Sequence, residues 1–70
     1  MKFRDFIRIL ERHGFELARP PSGSHRVYKG RVEGGTRLVV VACHRESDEI
    51  KPGTLSSMIR QSGLPKHLFR

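Results

Sequence analysis

The first apolar residues of the chain recur at the spacing of an amphipathic helix. Four of them follow the i, i+3, i+4, i+7 rule: Phe3, Phe6, Ile7 and Leu10. Gly14 comes just after this segment, and glycine most readily adopts the left-handed conformation of a helix end. The pattern therefore predicts a first helix at about residues 3–13.

The middle of the chain alternates between apolar and polar positions with a period of two, which indicates strands. Three short strands are predicted, at Phe15–Arg19, His25–Lys29 and Leu38–Cys43. The last of these is apolar on both faces, so we expect it to be the central and best covered strand. The glycine-rich residues 30–36 predict a flexible hairpin connection between the second and third strands.

A second apolar stripe at helical spacing follows the strands. Its members are Leu55, Met58 and Ile59. Thr54 is the expected N-terminal cap of this second helix, and Gly63 is its expected end. The last residues, Pro65–Arg70, are predicted to form a short turn or tail.

The order of these elements predicts an α+β fold in a single domain, residues 1–70: a helix, a three-stranded antiparallel sheet and a helix. Both helices fit on one face of such a sheet, which leaves the other face open or covered by a partner. The period of two turns Tyr28 toward the helices. The open face then carries His25, Val27 and Lys29, and a shift of one residue would reverse this assignment.

The charge of the chain indicates what kind of partner it has. There are 14 Lys and Arg residues against 7 Asp and Glu residues, which gives a net charge of +7 in 70 residues. A surplus that large on so small a domain favours a polyanionic partner, either nucleic acid or an acidic protein. The same small size excludes nucleotide-binding α/β folds and barrels.

Cysteine content and apolar runs indicate the compartment. The single Cys43 cannot form an internal disulfide, which favours a reducing environment. The longest apolar run, Leu38–Cys43, is far shorter than the roughly 20 residues that span a bilayer. No signal segment opens the sequence. We therefore expect a cytoplasmic protein that does not enter the membrane.

The four histidines are the first candidates for chemistry: His13, His25, His44 and His67. No two lie at metal-ligand spacing on one element and there is no Cys-x-x-Cys, so no metal site is expected. Cys43 and His44 are adjacent on a strand and therefore point to opposite faces, which argues against a Cys–His dyad. His13 is interpreted as a helix-terminal residue and His67 as a solvated one.

His25 has the most favourable position for catalysis. It follows Gly23-Ser24 at the start of a strand, where the loop gives access to solvent. An imidazole with an ordinary pKa of about 6.5 exchanges protons with hydroxyl groups at neutral pH. RNA supplies its own nucleophile, the 2′-OH, so a metal-free ribonuclease can be very small. From spacing alone, an ordinary polar strand residue is the alternative.

Several other residues are candidates for contacts with RNA. Lys29 shares the predicted face of His25, and the backbone of Gly23 and Ser24 offers N–H groups to a phosphate. Arg45 and Lys51 flank the last strand and the following loop, and cations there would neutralise phosphates. His44, at the end of that strand, is a secondary candidate that approaches the same surface.

The residues that single out a family occur in a fixed order along nearly the whole chain, about residues 2–64. They are Lys2…Phe6-Ile7…Leu10-Glu11…Gly14-Phe15, Gly23-Ser24-His25…Tyr28, a valine-rich strand ending at His44, and Lys51-Pro52-Gly53-Thr54-Leu55…Ile59…Gly63-Leu64. This sequence resembles the HicA (YcfA-like) toxin family. Two positions depart from the usual family pattern: Ala42 replaces a proline, and Gly30–Gly35 replaces a His-Pro-Asp-Gly type turn.

The resemblance implies a fold like that of double-stranded-RNA-binding domains and an mRNA interferase of a type II toxin–antitoxin system. It also implies that His25 is the catalytic histidine and that a HicB-like antitoxin masks the toxin in a hetero-oligomer. No metal and no cofactor are expected. One alternative is a non-catalytic RNA-binding module of the same fold. Another is an interaction domain whose basic surface docks an acidic protein.

Overall fold

The computed structural model describes residues 1–18 and 23–69. The elements are helix α1 (Phe3–Arg12), strands β1 (Glu16–Leu17), β2 (His25–Val32) and β3 (Gly35–Ala42), helix α2 (Pro52–Ser62) and a final 3₁₀ helix (Lys66–Phe69). The strands form one antiparallel sheet in the order β1–β2–β3. The predicted α+β order is confirmed. Within the predicted first strand, Arg19 lies outside the described residues.

One hydrophobic core joins the helices to one face of the sheet. Its members are Phe3, Phe6, Ile7, Leu10, Phe15, Tyr28, Val39, Val41, Cys43, Ile50, Met58 and Phe69. All four apolar residues of the predicted first stripe are buried, which confirms the helical spacing. The 3₁₀ helix adds Phe69, whose ring stacks on Phe6 at a centroid distance of 4.9 Å. Sequence reasoning had not assigned Phe69 to the core.

The predicted parity of the second strand is confirmed. Tyr28 is buried and pairs with the buried Val39, whereas His25 and Lys29 are exposed and Val27 is half-buried. None of the described elements contributes a core residue on the side of His25 and Lys29. We call this side the open face.

The prediction that the valine-rich strand is central was wrong. β2 lies between β1 and β3, so β3 is an edge strand. Its alternate residues Leu38 and Val40 are 50% and 45% exposed, while Val39 and Val41 are fully buried. Hairpin connections place consecutive strands side by side, and this decides the order irrespective of how apolar a strand is. Helix α2 protects the free edge, where the Val40 N–H donates to Gln61 Oε1 at 3.0 Å.

The predicted hairpin between the second and third strands is confirmed, but residues 30–36 are not a flexible connection. The strands continue to a two-residue turn, and Val32 pairs with Gly35 across it. Glu33 and Gly34 have φ angles of 52° and 80°, the left-handed pair of a type I′ hairpin turn. Gly30 lies inside β2, where a Cβ atom would come within 2.6–2.8 Å of the Phe15 ring. These glycines thus serve packing and a tight turn.

Helix α2 begins earlier than predicted. Its N-cap is Lys51 and its first residue is Pro52, so Thr54 lies inside the helix. Proline suits the first helical position because its fixed φ is already helical and the missing N–H would have no partner there. The predicted end is confirmed, since Gly63 has a left-handed φ of 70°. No helix in residues 1–18 and 23–69 is long and apolar enough to cross a membrane.

Candidate functional site

His25 lies at one end of the open face. It is the first residue of β2, it is exposed, and it pairs with Ala42 at the end of β3. The pairing continues one residue further, because the Cys43 N–H donates to the carbonyl oxygen of Ser24 at 2.7 Å. The backbone on both sides of His25 is therefore fixed, while the imidazole is accessible from solvent.

His44 reaches the same end of the sheet from the other strand. Burial alternates over the last residues of this segment: Ala42 is exposed, Cys43 is buried and His44 is exposed. His44 thus follows Ala42, the partner of His25, in the bend after β3. Cys43 points into the core, and desolvation raises the pKa of its thiol even though the nearby Arg26 lowers it. As predicted, Cys43 and His44 do not face each other.

A cavity of about 470 Å³ borders His44. Lys51 and Thr54, at the start of α2, line it together with Ala42 and the edge of Phe3. The structure thus brings two predicted site residues, His44 and Lys51, to one concavity. Asp48 and Glu49 also line this cavity, so its wall is of mixed charge.

The segment between β3 and α2 is tied to the rest of the molecule at several points. Arg26 Nη1 donates to Glu46 Oε2 at 2.8 Å, and this hydrogen bond is the main reason that the pKa of Arg26 is raised. The Arg4 N–H donates to the carbonyl oxygen of Glu46 at 2.9 Å.

Two further bonds hold the segment to the start of α1. The Phe3 N–H donates to the Asp48 carbonyl oxygen at 3.1 Å. The amino group of Met1 lies 3.0 Å from Glu49 Oε2. These contacts position His44 and the exposed Arg45, and the spacing of the sequence gave no sign of them.

Lys29 lies away from the two histidines. It is four residues along β2 from His25, or roughly 13 Å at about 3.3 Å per residue. Glu16 of β1 and Leu38 of β3 are its partners in register. Lys29 is therefore separate from the basic residues near His44, and a carboxylate is opposite it. Sequence reasoning had placed Lys29 on this face correctly but had not identified Glu16 beside it.

The open face also carries an apolar stripe. Leu38 and Val40 are its largest exposed members, and Val27 and Ala42 adjoin them through the register of β2 and β3. Sequence reasoning had explained these side chains by burial on both faces. The exposed stripe lies directly beside His25 and Lys29.

A comparison with protein-family models identifies the chain. Residues 3–64 match the family described as the HicA toxin of bacterial toxin–antitoxin systems. The chain belongs to the HicA toxin family. Neither the search of curated proteins nor the search of solved structures returned a match.

The matched residues include every helix and strand of the described part of the chain except the final 3₁₀ helix. Toxins of such systems are paired with an antitoxin, and the family match supports a toxin function for this chain. The match includes His25 and His44, and it spans the cavity beside α2. Among the described residues of the toxin, no three His, Cys, Asp or Glu side chains are grouped closely enough to hold a metal ion.

Proposed function

We propose that this HicA toxin is an mRNA interferase that cleaves RNA by acid–base chemistry without a metal. The observation that carries the proposal is the exposed His25 on the open face of a toxin-family protein with a net charge of +7. RNA meets both requirements of such a surface, because its phosphates attract the positive charge and its 2′-OH is an internal nucleophile. The proposed substrate is mRNA, and the proposed location of the reaction is the cytoplasm.

In the proposed reaction His25 accepts the proton of the 2′-OH. The 2′-oxygen then bonds to the adjacent phosphorus, and the bond from phosphorus to the 5′-oxygen of the next nucleotide breaks. The departing 5′-oxygen takes up a proton, so the products are a 2′,3′-cyclic phosphate and a 5′-hydroxyl group. A correctly placed general base contributes about 10²–10⁴-fold to such a rate.

The remaining predicted residues have binding roles in this proposal. Ser24 lies beside His25, and its backbone N–H group is offered to a phosphate. Arg45 and Lys51 lie on the His44 side of the site and Lys29 lies further along β2, so cations flank the base on two sides. These contacts position the strand without reading its sequence.

The proposed partner is an acidic, HicB-like antitoxin that forms a hetero-oligomer with the toxin. A negatively charged protein associates quickly with a +7 surface. The apolar stripe of Leu38 and Val40 beside His25 suits a protein partner that covers the base and excludes RNA. A titration of labelled RNA against antitoxin on the His25→Ala protein tests this. A ternary complex with undiminished RNA affinity would contradict direct masking.

Induced expression in a host cell tests the catalytic role of His25. We expect His25→Ala to abolish growth arrest and RNA cleavage, because no other described group occupies its place at the start of β2. The side chain is exposed, so the free energy of unfolding should change by less than about 1 kcal/mol. His67→Ala is the matched control, since His67 is also exposed but lies in the 3₁₀ helix.

Three outcomes separate the hypotheses. Cleavage by His25→Ala at the wild-type rate would contradict the role of His25. RNA binding by the wild-type protein without any cleavage would favour the non-catalytic RNA-binding module. Absence of both, with tight binding to an acidic protein, would favour the interaction domain.

A further inference from the structure

We propose that His44 is a second catalytic residue, the general acid that protonates the leaving 5′-oxygen while His25 acts on the 2′-OH. This inference rests on the proposed ribonuclease function. It assigns a chemical role to a histidine that is far from His25 in sequence but follows the strand residue that pairs with His25.

The register of the sheet carries the first step. His25 is opposite Ala42, and the hydrogen bond from Cys43 to Ser24 extends the pairing beyond β3. His44 is exposed and lies in the bend two residues after Ala42. Paired Cα atoms are about 4.5–5.5 Å apart and two residues span at most about 7 Å, so the Cα atoms of His25 and His44 are no more than about 13 Å apart.

The chemistry carries the second step. RNA cleavage needs one proton removed from the 2′-oxygen and one delivered to the 5′-oxygen, and these oxygens are on opposite sides of the phosphorus. Each needs its own group at about 2.6–3.2 Å in the reacting complex. One imidazole cannot reach both oxygens at once, whereas two imidazoles on neighbouring chain segments can bracket a phosphate.

The surroundings of His44 carry the third step. The His13 ring is engaged by the carbonyl oxygen of Ile9 at 2.9 Å, whereas no such bond to a described residue is seen for the ring of His25 or His44. The cavity of about 470 Å³ beside His44 gives room for a leaving nucleotide, and its wall contains Lys51 as well as the carboxylates of Asp48 and Glu49. The Arg26–Glu46 pair anchors the segment just after His44.

The protons balance in this scheme. The 2′-OH proton passes to the neutral imidazole of His25 as the bond from the 2′-oxygen to phosphorus forms. The bond from phosphorus to the 5′-oxygen breaks, and the imidazolium of His44 gives that oxygen its proton. The enzyme ends with the two histidines in exchanged protonation states, and water restores them.

A substrate with a better leaving group tests the role of His44 directly. In a 5′-bridging phosphorothiolate RNA, sulfur replaces the leaving oxygen and departs as a thiolate that needs no proton. We expect His44→Ala to slow cleavage of ordinary RNA by about 10²–10⁴-fold, the usual contribution of a general acid. On the thiolate substrate the same variant should regain most of the wild-type rate. His25→Ala should remain slow on both substrates.

Further variants keep the test independent of folding. His44→Gln preserves a polar side chain on the surface and should behave like His44→Ala, and His67→Ala should cleave both substrates normally. Circular dichroism and thermal melting of each variant report on the fold.

The contradicting outcomes are distinct. If His44→Ala cleaves ordinary RNA at the wild-type rate while His25→Ala does not, the role of His44 is wrong and the proposed function stands. If His44→Ala is equally slow on both substrates, His44 is not the general acid. If the wild-type protein cleaves neither substrate, the proposed function and the role of His44 both fail.

Discussion

The covered and open faces of the sheet differ in what determines their residues. On the covered face, Val39 and Val41 are fully buried against the helices. On the open face the neighbouring Leu38 and Val40 are about half exposed, and they lie beside histidine and lysine. Packing accounts for the first set but not for the second. Residues that folding does not explain are the ones to test for function.

The same substitution in helix α1, which covers one face of the sheet, and on the open face should give the largest contrast. Leu10→Ala removes a fully buried side chain and should lower the free energy of unfolding by about 2–5 kcal/mol. Leu38→Ala, at a half-exposed position, should change it by only about 0.5 kcal/mol. Urea denaturation of both variants measures the difference. Equal losses would mean that the open face is part of the stabilising core.

Glycines offer a second contrast between packed and open positions. Gly30→Ala would place a Cβ within 2.6–2.8 Å of the Phe15 ring and should cost about 1–3 kcal/mol through overpacking. Gly35→Ala is the control, because its Cβ would meet no atom closer than 3.6 Å. Thermal melts compare the two. A Gly30→Ala protein as stable as the control would show that Phe15 moves aside freely.

The sequence predicts the covered face better than the open one for a physical reason. Burial repeats with the period of a helix or strand, so the stripe of α1 and the inward turn of Tyr28 follow from spacing alone. The position of β3 at the edge does not follow from spacing. A run of apolar residues is expected both for a central strand buried on two faces and for an edge strand with an exposed apolar stripe. Likewise, the sequence shows Gly30 and Gly34 only as glycines in a polar segment, which predicts flexibility. The structure shows that Gly30 packs against Phe15 and that Gly34 belongs to a type I′ turn.

The candidate site divides in the same way. The residue type and the strand start make His25 a candidate, the family resemblance implies its role, and parity places Lys29 on its face. The proximity of His44 to Lys51 could not be predicted, because it depends on the path of the segment after β3. The Arg26–Glu46 and Phe3–Asp48 contacts fix that path. Such contacts join residues far apart in sequence and have no periodic signature.

Salt dependence tests whether Lys29 on the open face and Lys51 beside the cavity both contact phosphate. On the His25→Ala protein, which should bind RNA without cutting it, Lys51→Ala should flatten the log–log slope of affinity against salt by about one. Lys29→Ala should flatten it less, because Glu16 is opposite Lys29 in the register. Lys66→Ala, in the 3₁₀ helix, is the control. An RNA affinity independent of salt would mean that the positive charge of the chain serves to bind the protein partner and not RNA.

The smallest expected effect concerns the ion pair that joins β2 to the segment after His44. Arg26 and Glu46 are 2.8 Å apart, with side chains 23% and 52% exposed. An ion pair exposed to this degree contributes only about 0.2–1 kcal/mol, because water and salt screen it. A double-mutant cycle with Arg26→Gln and Glu46→Gln should therefore give a small coupling in unfolding experiments. The same variants should slow RNA cleavage, since the pair helps to hold the segment that carries His44. Expressed as free energies, the loss in the cleavage rate should exceed the loss in the free energy of unfolding. The contradicting result would be a coupling energy above about 1 kcal/mol together with RNA cleavage at the wild-type rate. The ion pair would then stabilise the fold without positioning His44.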